Sequence, residues 1–267
     1  MEQKILELLK CIEKDKKIKI LFAVEAGSRA WELDSSESDY DVHFVFYRRL
    51  EDYISINKFD DQINLGFDKN LKPKSKKDVF IEMTGYDIFK YFHLLISCNV
   101  SAIDLVNSNM LYLGDNSELK TFVANNINKP KLFVQYYCSG RGLYKSHFKS
   151  KEINVKKYLH VMRIILKAEY LLKYQKLPNT SMIKNLEELE KDIPADVYAK
   201  IKEFIELKKN GHGKDIIKEM PLLTNYFDES FERFANINME KKIKEQKPMD
   251  NEYFNQLLRS LIIPNGK

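Results

Sequence analysis

The sequence predicts an α+β protein, a mixed-sheet head of roughly 120 residues followed by a C-terminal helical bundle. Two observations carry this. Period-two alternations of apolar and polar residues crowd into the first third of the chain, and beyond Thr84 the apolar residues recur at helical spacing to the end. The scarcity of turn formers, 9 Gly and 7 Pro in 267 residues, agrees, because it argues against an all-β chain. The expected division is residues 1–120 for the head and 121–267 for the helical domain.

The elements follow in order. Ile5, Leu8, Leu9 and Ile12 have the spacing of one helical face. In "KIKILFAVEAGS", Ile18, Ile20, Phe22 and Val24 alternate with Lys19, Leu21, Ala23 and Glu25, a strand that ends in a Gly27-Ser28 turn. "DYDVHFVFY" is a second strand, with Tyr40, Val42, Phe44 and Phe46 on one face and Asp39, Asp41 and His43 on the other. "DQINLGF" and "DVFIEM" read as two further strands around the lysine-rich "DKNLKPKSKK". Thr84 and Asp87 then stand in capping-box spacing ahead of Ile88, Phe92 and Leu95, which predicts a helix. The stretches from Lys131, Asn154, Pro194 and Asp250 read as later helices.

Hydrophobic residues at 44% and charged ones at 31% describe a globular chain with ample core material. A net charge of +5 suits a polyanionic partner without requiring one. Cys11, Cys98 and Cys138 are odd in number and form no Cys-x-x-Cys pair, so reduced, structural thiols are expected. The charged, amphipathic start is unlike a signal peptide, and no apolar run approaches the roughly 18 residues of a membrane span. A cytoplasmic protein with no membrane contact is the expectation.

Asp39 and Asp41 carry the chemistry. Two apart on a strand, both carboxylates project from one face, where they repel unless a cation or a proton intervenes. Mg²⁺, or Mn²⁺ in its place, resolves the conflict with oxygen ligands and keeps positions open for phosphates. Glu82, a lone acid on an otherwise apolar strand, is the candidate third ligand, with Asp78 as the fallback. Gly27 and Ser28 offer close backbone approach and a hydroxyl to a phosphate, and Arg29 is placed to reach it.

A strand, Gly-Ser, ten residues, Asp-x-Asp and a later strand acid resemble the DNA polymerase β nucleotidyltransferase superfamily. "EAGSRAWELDSSESDYDVHFVFYR", "IEMTGYDIFKYFHLLISCNVSAIDLVNS" and "VKKYLHVMRIILKAEYLLKYQKLP" narrow the resemblance to the RlaP/YcgL-type nucleotidyltransferases found with bacterial RNA-repair genes and in phages. The resemblance implies a polymerase β-like head, with a helical domain closing the nucleotide cleft. It makes Gly27, Ser28 and Arg29 the triphosphate-binding group, and Asp39, Asp41 and Glu82 the metal ligands and catalytic residues. The implied substrate is a nucleoside triphosphate and the acceptor an RNA end. A protein or small-molecule acceptor is the alternative, and a non-catalytic nucleotide or RNA sensor is the alternative of another class. The chain departs from the family pattern D-x-S-G-W-D, with Glu82, Thr84 and Tyr86 replacing the Asp, Ser and Trp. Glu32 follows Trp31 where Gly is usual.

Lys156, His160 and Arg163 fall on one face of a long helix, with Lys157 beside them. The resemblance borders the nucleotide with this helix, so Lys157 and Arg163 are the expected phosphate-neutralising cations. Arg141 with Lys145, and the run Lys72, Lys74, Lys76 and Lys77, read as solvated basic groups. His43 reads as a strand histidine, and Trp31 as packing that fixes the turn.

Overall fold

The computed structural model describes residues 1–75, 78–149, 153–237 and 249–263; Lys76 and Lys77 of the lysine run lie outside these. The chain divides into two compact units.

The first unit holds Met1–Ala30, Asp39–Ile127 and the C-terminal segment that carries the last helix. Its strands are β1 (Lys19–Glu25), β2 (Tyr40–Tyr47), β3 (Gln62–Phe67), β4 (Pro73–Lys74), β5 (Ile81–Asp87) and β6 (Leu111–Gly114). They form one sheet in the order β4-β3-β5-β2-β1-β6. Only β2 and β5 run parallel, which makes the sheet mixed, as expected. Helix α1 (Glu2–Lys16) buries Ile5, Leu9 and Ile12 on one face of this sheet, against Val42, Phe44, Phe46, Ile81 and Met83. Each such side chain contributes about 1.5–3 kcal/mol of burial. That core fixes the face on which the polar residues of β2 and β5 must point.

The plain alternation expected of β1 breaks at a bulge. Ile20 pairs with Phe46 and Phe22 with Val45, so one residue is left over and the phase of the strand reverses. Ala23 then joins the α1 core, while Phe22 turns to the opposite face and meets Tyr91 edge-on at 5.9 Å. Tyr91 belongs to α4 (Ile88–Ile96).

The capping box expected at Thr84 and Asp87 is a correction. Thr84, Gly85 and Tyr86 continue β5, in register with His43, Phe44 and Val45 of β2. Asp87 alone caps α4, its Oδ1 accepting the Phe89 N–H at 3.0 Å. Gly85 belongs to the strand because a Cβ there would stand 2.3 Å from the Phe44 ring.

The expected boundary at residue 120 also differs from the observed units. The first unit runs on to Ile127 and takes in the last helix. The short helices α2 (Gly27–Ala30) and α3 (Leu50–Tyr53) lie within this unit, followed by α5 (Val100–Asn107) and α6 (Ser117–Asn126). In the second unit come α7 (Lys129–His147), α8 (Val155–Tyr174), α9 (Met182–Glu188), α10 (Ala195–Lys209) and α11 (Pro221–Ala235); α12 (Asn251–Ile262) closes the chain. Aromatic packing ties α12 to the first unit: Tyr253 stacks on Phe122 of α6 at 3.6 Å, and Phe254 meets Phe92 of α4 at 4.7 Å.

The second unit is mainly helical among its described residues, and Ile153–Asn154 pairs antiparallel with Ile216–Ile217. Helix α8 is buried along most of its length, and Gly140 of α7 lets Ile164 and Phe231 approach to 3.0 Å of where a Cβ would be. The segment Trp31–Ser38, between β1 and β2 in sequence, belongs to this unit, where the Trp31 carbonyl accepts the Met182 N–H at 3.1 Å. No single helix among the described residues is long and apolar enough to cross a membrane.

Candidate active site

Two of the expected acids are paired where β2 and β5 begin. Asp41 is the direct partner of Glu82 across the parallel pair. Side chains paired in this way project from the same face, and Asp39 lies one residue before β2 begins. Asp39 and Glu82 are exposed and Asp41 is half-buried. Asp39 and Glu82 also line one open groove, together with Asn64, Gly66, Lys74 and Asp78. The fallback acid Asp78 is therefore on the groove wall, while Glu82 holds the position beside Asp41.

Gly27 is indispensable to this arrangement. Its φ is +57°, and a Cβ on it would lie 1.7 Å from Asp41 Oδ2. The Asp41 carboxylate thus rests directly on the Gly27 backbone. The Gly-Ser turn expected from the sequence is a single helical turn, Gly27–Ala30, and Ser28 follows Gly27 within it. Arg29 is held twice: its guanidinium lies 3.9 Å from the Tyr40 ring centroid, and Nε donates to the Asp39 carbonyl at 3.2 Å.

Beneath the pair lies a residue that plain alternation sets on the face opposite Ile18 and Ile20. Glu25 is fully buried. Its Oε1 accepts the Asp41 N–H at 3.0 Å, and its Oε2 accepts the Tyr112 O–H at 2.5 Å. Burial pushes the Glu25 carboxyl up to about 7, against the hydrogen bonds from Tyr112 and Asp41 that favour ionisation. The sequence signal was present, an acid at the end of a strand of otherwise apolar run "LFAV", but the bulge hid which face it takes.

His43 shares the acidic face. Burial lowers it to about 4, so it is neutral at pH 7 and adds no positive charge between the carboxylates. Its ring stands 6.1 Å from Tyr86. Thr84 donates its hydroxyl to Asn64 Oδ1 at 3.3 Å.

Among the described residues, no three His, Cys, Asp or Glu side chains are gathered closely enough to hold a metal ion as they stand. The donor type nonetheless suits a hard divalent cation: carboxylate oxygens on one face, two of them exposed and able to turn, and a Cβ-free backbone under the third.

The expected cations Lys157 and Arg163 are in the second unit, on α8, and so are not among the groups the sheet unit itself gathers. Arg163 is 8% exposed, with its guanidinium 3.9 Å from the Trp31 ring centroid. His160 meets the same indole edge-on at 5.4 Å. Trp31 is packing, and the group it packs is Arg163 of the second unit rather than the turn the sequence suggests. Lys157 lies in the first turn of α8, its N–H capped by Asn154 Oδ1 at 3.0 Å. Glu32 has a φ of +62°, a left-handed backbone that favours glycine, and it pairs with Lys184 at 3.7 Å.

The chain belongs to the RlaP family, described as RNA repair pathway DNA polymerase beta family, which matches residues 1–260. By family it is a polymerase-β-like nucleotidyltransferase. It is 27% identical over 265 residues to "Uncharacterized protein YcgL" of Bacillus subtilis (strain 168), covering 98% of this chain and 96% of that protein. Among solved structures, it is similar to a nucleotidyltransferase-like protein from Exiguobacterium sibiricum 255-15, at 12% identity over 86% of this chain and 78% of that one, with a TM-score of 0.32. A superposition that loose bears on neither fold nor function.

Proposed function

We propose that the protein is a metal-dependent nucleotidyltransferase that moves a nucleoside monophosphate from a nucleoside triphosphate to the hydroxyl of an RNA end, in the cytoplasm. The observation that carries this reading is the pairing of Asp41 with Glu82 across parallel strands, with Gly27 lying under the Asp41 carboxylate. Family membership supports the reaction class.

Asp39, Asp41 and Glu82 would hold Mg²⁺ or Mn²⁺. Bound there, the ion supplies positive charge to the α-phosphate and the departing pyrophosphate. Gly27 and Ser28 hold the triphosphate through a backbone that approaches closely and a hydroxyl that donates. Arg29, fixed by Tyr40 and the Asp39 carbonyl, adds charge in a set direction. Lys157 and Arg163 supply the positive charge of the helical unit, Arg163 from its seat on Trp31. The acceptor hydroxyl attacks the α-phosphorus in line, the bond to pyrophosphate breaks, and Glu82 takes the hydroxyl proton. Positioning and charge neutralisation provide most of the acceleration.

Incubation with Mg²⁺, each labelled nucleoside triphosphate and RNA tests the reading. Label should pass to RNA, and Asp39→Ala combined with Asp41→Ala should abolish the transfer. Transfer that survives the double substitution would overturn the assignment, and label found on protein instead of RNA would overturn the acceptor.

A further inference from the structure

The turn that presents Gly27 has an unusual support. In an antiparallel pair, a strand N–H ordinarily finds a carbonyl on its neighbour. Ala26 still donates to the Asp41 carbonyl at 2.7 Å, but beyond it the chain leaves the sheet at Gly27. The Asp41 N–H would then face no backbone acceptor on β1. The Glu25 carboxylate takes the place of that carbonyl at 3.0 Å.

Register shows from which direction it reaches. Glu25 pairs with Val42, whose side chain is in the α1 core, so Glu25 approaches Asp41 from the face opposite the exposed carboxylates. It therefore supports the Asp41 main chain without adding a fourth acid to the candidate metal face. Glu25 is itself immobilised on every polar atom. Its N–H donates to the Met110 carbonyl at 2.8 Å, and its carbonyl accepts from Ser108 Oγ at 2.8 Å. Its remaining carboxylate oxygen accepts from Tyr112 of β6. A fixed point on β1 and β6 thus sets the height of Asp41, and Asp41 Oδ2 lands on the one residue without a Cβ.

We propose that Glu25, held by Tyr112, is a positioning residue that fixes the Asp41 main chain and so aims the Asp41 carboxylate for divalent-cation binding. The proposal rests on the reading of Asp41 as a metal ligand and extends it to a residue that touches neither metal nor substrate.

The test uses the full chain and four variants: Asp41→Ala, Glu25→Ala, Glu25→Gln and Glu25→Asp. Two quantities are measured, hydrogen exchange at the Asp41 amide and Mn²⁺ affinity from loss of the free-ion EPR signal. Glu25→Ala should lose protection at the Asp41 amide and weaken Mn²⁺ binding by about tenfold or more, the usual consequence of removing a group that orients a ligand. Glu25→Gln keeps an acceptor of the same reach and should recover most of both. Glu25→Asp keeps the acid but withdraws it by one methylene, so it should fail in both; it also decides the matter if Glu25→Ala does not fold. An Asp41 amide still protected in Glu25→Ala or Glu25→Asp overturns the proposal. So does unchanged Mn²⁺ affinity in those variants when Asp41→Ala has lost it, and in that case the ligand reading of Asp41 stands. Mn²⁺ affinity equal in Asp41→Ala and the unaltered chain overturns the ligand reading itself, and the positioning role with it.

Discussion

The fold treats the acidic face of the sheet and the basic side chains of α8 in opposite ways. Asp39 and Glu82 remain exposed, and Asp41 is supported through its main chain, which leaves its carboxylate on bare backbone. On α8, by contrast, Arg163 is buried against Trp31, with His160 on the same indole. The physical difference lies in the side chains. A guanidinium is weakly hydrated, planar and able to stack on an aromatic ring, so internal packing can absorb it. A carboxylate on a short stem has no such option and stays where a cation can reach it. The paired acids and the stacked arginine thus differ in how much of the side chain the fold leaves accessible.

Five measurements break or sharpen this contrast. The largest effect is expected for Gly27→Ala, which places a methyl where Asp41 Oδ2 now rests, at a positive φ. Nucleotidyl transfer should fall by at least about a hundredfold, the order of loss that attends misplacement of a reacting group by 1 Å. Transfer near the unaltered level would mean that the contact of Asp41 with the turn does not matter. Next, Trp31→Ala should destabilise the helical unit by about 2 kcal/mol in denaturant melts, because it removes a ring packed on a desolvated guanidinium. A loss below about 0.5 kcal/mol would mean that the contact of the ring with the guanidinium contributes little to stability.

The third concerns pH. Burial, reinforced by Arg163, Lys156, His147 and Lys208, lowers His160 from 6.5 to about 3. The unfolded chain therefore binds the extra proton first. Stability is complete above pH 6.5 and declines as the pH falls from there towards 3. His160→Gln should flatten that part of a melting-temperature profile, and an unchanged slope would count against a buried neutral ring. Glu25 has the opposite sign, since its carboxyl is raised from 4.5 to about 7 and the folded state holds the extra proton between those values. The smallest effects are two opposite glycine changes in the second unit. Glu32→Gly relieves a left-handed backbone at a cost in chain entropy and should stabilise by about 1 kcal/mol or less. Gly142→Ala, with nothing within 4 Å of the new methyl, should stabilise α7 by about 0.5–1 kcal/mol.

The sequence by itself determined the strands that matter, the helical character of the later chain and the face of β2 that carries Asp41 and His43. Each follows from a local period, because alternation within one strand needs no knowledge of its neighbours. Glu82 was legible as an isolated acid on an apolar strand. Its pairing with Asp41 was not, since register between strands forty residues apart depends on how both pack under α1. The same holds for the misread capping box. Thr84 and Asp87 have the spacing, and only the parallel pairing with β2 holds Thr84 to Tyr86 in the strand. Glu25 is the plainest case. One extra residue near Leu21 reverses the phase of β1, and Glu25, which plain alternation sets on the face opposite Ile18 and Ile20, becomes the buried support of Asp41. Local chemistry is written in the order of residues, whereas which faces meet is decided by packing, where a shift of one residue exchanges inside for outside.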